Sequence, residues 1–141
     1  MTGTGRAAVI MRDDGFAPED WTAPIRPLDA SPEDAAGIEL DPGAALDDLV
    51  PRLGRIALIR VRFASCADGR GFTVAHRLRA MGYAGRLRAA GPVLADQYAM
   101  ARRAGFDEVE VTPDIARRQP QAQWLARADW RAGDYQSRLR G

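Results

Sequence analysis

The chain changes rhythm at Ile56. IALIRVRF (Ile56–Phe63) is a β-branched, apolar-rich run of strand length, RLRAAG (Arg86–Gly91) is a second, and DEVEV (Asp107–Val111) is a third. Between the first two runs, Phe72, Ala75, Leu78 and Met81 recur near one face of a predicted helix; between the second and third, Leu94, Tyr98 and Ala101 do the same. Both helices carry the same stop signal. Gly82-Tyr83 and Gly105-Phe106 place glycine where a left-handed cap is favoured, then an aromatic that can fold back onto the last turn. Gly91-Pro92 and Thr112-Pro113 each put proline at a first helical position. Strand–helix units of this length predict parallel strands joined by right-handed crossovers. The expected fold is therefore α/β: a small parallel sheet of repeated βα units, as an open sheet or a partial (β/α) barrel.

Before Ile56 the pattern is weaker. AAVIM (Ala7–Met11) reads as a short strand and RDDG after it as a turn, whereas DASPEDAAGIELDPG is acidic, rich in Pro and Gly, and reads as loop or extended arm. Leu46, Leu49 and Leu53 then fall at helical spacing, in a helix that Pro51 should shorten or kink. The tail PQAQWLARADWRAGDYQ predicts a Trp-containing helix and an irregular end. Residues 1–141 are expected to form a single domain, with a mostly irregular acidic arm over 1–43 and the βα body over 44–141.

Composition narrows the chemistry. The 141 residues hold one cysteine and one histidine, so an internal disulfide, a CxxC redox pair and a four-cysteine cluster or zinc site are all excluded. No cofactor and no metal are expected. All 20 basic residues are arginine, which removes Schiff-base lysine chemistry and the phosphate-loop lysine but leaves forked contacts to carboxylates and oxyanions. A run of about 18 apolar residues and a signal peptide are both missing, which predicts a cytoplasmic protein without a membrane partner. The net charge of +1 hides an asymmetry: Met1–Val50 carries 3 Arg against 11 Asp/Glu, and Pro51–Gly141 carries 17 Arg against 8. That pattern fits an acidic arm folded across a basic body, or a basic face that docks an acidic protein or a small anion. Nucleic acid is not expected, because the net charge is small and no recognition motif is present.

In a parallel α/β sheet, ligands sit where strand C-terminal ends feed helix N-termini. The stretch SCADGRGFTVAH (Ser65–His76) begins at such an end and holds both the cysteine and the histidine. Arg62, Arg70 and Arg88 could converge there on a small oxyanion, with Asp68, Gly69, Gly71, Asp96 and Gln97 as further binding candidates. Structural roles compete for these residues: Asp68 or Ser65 as a cap, Gly69 and Gly71 for the tight turn, Asp96 as a partner of the helix dipole. His76 falls about a turn and a half into the helix, so a dyad with Cys66 lacks both geometry and an orienting third group.

The segments DGRGF-T (Asp68–Thr73), LR (Leu78-Arg79), LRA (Leu87–Ala89), VL-x-DQ (Val93–Gln97) and GFD (Gly105–Asp107) stand here in a fixed order. With Phe63, Ala75, Gly85 and Gly91 they resemble an uncharacterised bacterial family whose members are often labelled oxidoreductases of sulfite reduction and are typically encoded beside sulfite reductase and other sulfate-assimilation genes. Glu19-Asp20-Trp21 and Tyr135-Gln136 resemble weaker end markers of that family. The resemblance implies a role in sulfite reduction and points to Asp68–Gly71 with Asp96-Gln97. Cys66 and His76 depart from the family's usual residues. With no redox ligand set in the chain, the expectation is an accessory or partner protein of sulfite reductase, or of another sulfate-assimilation protein. The alternative is a small oxyanion-binding enzyme using the strand-end arginines.

Overall fold

The computed structural model describes residues 8–31 and 34–131. Its strands are β1 (Val9–Arg12), β2 (Gly15–Ala17), β3 (Ile25–Pro27), β4 (Gly37–Leu40), β5 (Leu58–Arg62), β6 (Arg86–Gly91) and β7 (Glu108–Val111). Its α-helices are α1 (Arg70–Ala80), α2 (Tyr98–Ala104), α3 (Pro113–Arg118) and α4 (Gln121–Leu125). The seven strands form one sheet in the order β2-β1-β7-β6-β5-β4-β3. Strands β3 to β7 are mutually parallel, while β1 runs antiparallel to both β7 and β2. The fold is α/β with a mostly parallel sheet.

Register sorts the strand residues onto two faces, because residues paired across a sheet share a face and alternate along each strand. Ile38 and Leu40, Ile59 and Val61, Leu87 and Ala89, Val109 and Val111, with Met11, lie on one face and join the main hydrophobic cluster. Every buried apolar side chain of the described helices belongs to that same cluster, including Val74, Leu78, Tyr98, Ile115 and Trp124. Helices α1 and α2 pack against each other over it. Phe63 at the end of β5 ties the layers, edge-on to Phe72 at 5.1 Å and 6.0 Å from Phe106.

The second face is different. Ile10, Leu58 and Ala90 are buried there, outside the main cluster. Around them stand Arg12, Glu39, Arg60, Arg62, Arg86, Arg88, Glu108 and Glu110, all of that alternate parity. Residues 18–24 cross this face, since they leave β2 at one sheet edge and enter β3 at the other. The crossing is tight. Eight Cα steps from Ala17 to Ile25 reach at most about 29 Å, and a flat sheet would hold its outermost strands about as far apart. Ile25 also pairs with Gly37 at the Leu58–Arg86 level, well below the Ala17 level of the sheet. The sheet must therefore curl, with its charged face concave under the strap.

Three local readings differ from expectation. Residues 1–43, expected to be mostly irregular, supply β1 to β4. GIEL is too short to show a period by itself, and its strand exists because Gly37–Leu40 pairs with Leu58–Val61. The predicted leucine helix is wound as a 3₁₀ helix over Asp47–Arg55, with Pro51 inside and Leu49 and Leu53 buried. The helix expected from Pro92 starts at Tyr98 after a 3₁₀ turn at Ala95–Gln97. Two other readings hold: the RDDG turn closes the β1–β2 hairpin, with Arg12 paired to Gly15, and Pro113 is the first residue of α3, where the Thr112 hydroxyl oxygen also accepts the Ile115 amide. The tail beyond Arg131 lies outside the described residues.

Candidate functional site

The Ser65–His76 stretch folds as a strand-to-helix turn. Asp68 accepts the Arg70 amide at 3.2 Å and grips the Arg70 guanidinium through both carboxylate oxygens, at 3.0 and 3.1 Å. The Arg70 guanidinium in turn holds the Asp68 carboxyl below the ordinary carboxylate range. Gly71 is small because Phe63 requires it: a Cβ there would fall 2.4 Å from the ring. Gly69 has open space around it. Cys66 and His76 are both exposed. Gln97 fastens this turn to the next loop, accepting the Leu94 amide at 2.8 Å and donating to the Cys66 carbonyl at 2.6 Å. Asp96 is exposed and lines a shallow cleft with Gln119, Gln123 and Arg127. Asp68 and Gly69, the first α1 residues Arg70 and Gly71, and Asp96 and Gln97 of the 3₁₀ turn thus sit together at one end of the sheet.

Arg62 and Arg88 belong elsewhere, on the concave sheet face. Arg88 was expected at a strand mouth, but it is the third residue of β6 and its side chain is 0% exposed. Its Nε donates to Glu108 at 2.7 Å, its Nη1 to Glu19 at 2.6 Å and Glu110 at 2.9 Å, and its Nη2 to Glu19 at 2.8 Å. Burial opposes the Arg88 cation, yet the hydrogen bonds it donates to Glu19 and Glu108 carry its pKa above the ordinary arginine value. Arg62 is engaged by Glu39 at 3.1 and 3.2 Å, and Arg60 bridges Glu39 and Glu110. The three arginines expected to converge on one anion are each held by carboxylates of this chain.

The strap completes the face. Glu19 caps Arg88, and Asp20 Oδ1 receives Arg86 at 2.5 Å and Arg12 at 3.0 Å. Arg12 and Arg86 also converge on Glu108, at 3.0 and 2.9 Å. Burial alone would raise the Glu19 carboxyl; the Arg88 hydrogen bonds, the Trp21 amide and the nearby charges hold it low instead. The Arg86 hydrogen bond is the main cause lowering Asp20. Sequence reading missed Glu39, Arg60, Arg86, Glu108 and Glu110. Their signal was period two: Arg60/Arg62, Arg86/Arg88 and Glu108/Glu110 alternate with apolar residues on three successive strands.

At the ends of β3 and β4 a cleft of about 480 Å³ is lined by Pro27, Asp29, Glu39, Asp41, Asp48 and Arg52 among others. Among the described residues no group of three or more His, Cys, Asp or Glu side chains is placed to hold a metal ion. No helix there is long and apolar enough to cross a membrane.

A family described as "Bacterial protein of unknown function (DUF934)" matches residues 37–141, and the chain belongs to it. No curated protein and no solved structure matches.

Proposed function

We propose that the chain, as a member of this bacterial family, is a cytoplasmic accessory protein of assimilatory sulfite reduction that works by docking to sulfite reductase. The observation carrying this reading is the outer surface of the helix layer. Neither α1 (RGFTVAHRLRA) nor α2 (YAMARRA) contains a carboxylate, and His76, Arg77, Met100 and Arg103 are exposed on the two adjoining helices. Arg70, Arg79 and Arg102 of these helices pair with carboxylates outside them, whereas Arg77 and Arg103 have no ion pair among the described residues. Two exposed cations beside an apolar side chain suit an acidic protein partner. The motif resemblance over Phe63–Asp107 supports sulfite reductase as that partner.

The test is binding to purified sulfite reductase. The wild type should bind, more weakly as salt rises, and Arg77→Glu with Arg103→Glu should weaken binding more than about tenfold. Absence of wild-type binding at low salt, or equal binding by the double variant, would overturn it.

One observation favours a second reading, a small oxyanion held near the end of β5. The Arg70 side chain is 65% exposed, so it can reach a ligand despite its pairing with Asp68. Calorimetric titration with sulfite, on the wild type and on Arg70→Ala, separates this reading from docking.

A further inference from the structure

The concave face is built around guanidinium groups whose own sheet does not neutralise them. The sheet contributes Arg12, Arg60, Arg62, Arg86 and Arg88 against Glu39, Glu108 and Glu110, a surplus of two positive charges. Two carboxylates adjacent in sequence, Glu19 and Asp20 of the strap, make up the difference. They do so as a ligand would. Glu19 meets Arg88 with both oxygens, and Asp20 is chelated by Arg12 and Arg86.

The strap itself is lightly held. Outside the strand ladders, residues 18–24 make no backbone–backbone hydrogen bond among the described residues; the Trp21 amide bonds the strap's own Glu19, and the Pro24 carbonyl lies against Gly37 where β3 begins. The Trp21 indole Nε1 is buried without a hydrogen-bond partner, a state that disfavours the closed position. The strap has too little slack to lift alone. The strand that follows it, β3, is the outermost strand, three residues long, with Arg26 and Pro27 exposed. Proline gives no ladder donor. Residues 18–27 can therefore leave as one piece, at the cost of three register positions.

We propose that the Arg12–Arg86–Arg88 cluster is a docking site for an extended acidic segment of a partner protein, and that residues 18–27 occupy it as a built-in stand-in. The occupant in place defines the chemistry: an extended chain, two successive carboxylates, then an aromatic residue that lies against Gly37, as the Trp21 ring does. Binding in trans requires the cis segment to yield, so the free protein is self-blocked and its apparent affinity is lowered by the fraction that is open. The site is on the sheet face away from the main-core face that α1 and α2 cover, and it stands or falls separately from docking through those helices.

The probe is a fluorescein-labelled peptide of residues 18–27, PEDWTAPIRP, titrated into the full chain and followed by anisotropy. Glu19→Gln with Asp20→Asn weakens the cis segment, so that variant should bind the peptide more than about tenfold tighter than the wild type. The same peptide carrying Gln and Asn in place of its two acids should not bind, and adding Arg86→Gln to the variant should abolish binding. A folded double variant that fails to bind, or binds no tighter than the wild type, would overturn the proposal. Displacement of the peptide by about 10 mM sulfate but not by chloride of equal ionic strength would assign the cluster to a small dianion and overturn the peptide reading. A second measurement needs only the wild type. A glutamate-specific protease should cut after Glu19 in the native state well before it cuts at the sheet residues Glu39, Glu108 and Glu110. Resistance at Glu19 equal to that of the sheet would mean the segment leaves only on global unfolding, and the idea would be lost.

Discussion

Arg70 and Arg88 were equivalent in the sequence, two arginines near predicted strand ends, and they are opposites in the structure. Arg70 is 65% exposed above an Asp68 carboxylate that is 10% exposed, and a pair with its cation in water contributes little because solvation competes for that cation. Arg88 has no exposed surface, and Glu108 beneath it is 2% exposed. Removing one member of a buried pair leaves the other charge uncompensated, typically at about 3–5 kcal/mol. Glu108 would retain Arg12 and Arg86, which places the expected loss for Arg88→Ala toward the lower end, about 3 kcal/mol. Arg70→Ala should leave stability unchanged. Urea unfolding at neutral pH measures both, and similar midpoints for the two variants would contradict this account of the concave face.

At the scale of elements, the helix ends show why part of the fold could be read in advance. After α1, the Tyr83 amide reaches the Leu78 carbonyl and Gly82 reaches Arg79; after α2, Phe106 reaches Ala101 and Gly105 reaches Arg102. Both are paired-bond caps that need a positive φ, and Gly82 and Gly105 have φ of 100° and 119°. They are not equally tolerant. A Cβ on Gly82 meets nothing within 4 Å, whereas one on Gly105 falls 2.7 Å from Arg79 Cγ, and Arg79 also bonds the Gly105 carbonyl. Gly82→Ala should cost about 1–2 kcal/mol from backbone strain alone. Gly105→Ala should cost clearly more, and thermal melts of the two would show it. Caps of this kind are local, so glycine and aromatic spacing revealed them. Strands β3 and β4 are not local: three or four residues with few apolar positions become strands only through distant partners. The site followed the same rule. Gly71 and Asp68 act on near neighbours and were legible as turn residues, while Gln97 reaches Cys66 across 31 positions of sequence and Glu19 reaches Arg88 across 69.

Across the whole molecule, the acidic first third and the basic remainder are matched in space. Asp13 takes Arg102, Glu19 takes Arg88, Asp20 takes Arg86, and Glu39 takes Arg60 and Arg62. Each of these pairs joins a carboxylate from the first 50 residues to an arginine beyond them. Burial would raise the carboxyls of Asp13, Glu19 and Glu39, but hydrogen bonds from Arg102, Arg88, Arg62 and Arg60 outweigh it, and for Asp20 the Arg86 bond dominates; all four lie below their ordinary values. A carboxylate whose folded pKa is depressed binds fewer protons folded than unfolded, so its stabilisation is complete above the ordinary carboxylate range and is lost as pH falls through the folded value. Stability should therefore be flat near neutrality and fall steeply below about pH 4. Glu19→Gln with Asp20→Asn removes two of these groups. That variant should be less stable than the wild type at pH 7, and its urea midpoint should decline less between pH 5 and pH 3. Equal declines for the two proteins would show that the strap carboxylates are not among the groups whose protonation drives acid unfolding, and would release the arm from the role of tying the two charge halves together.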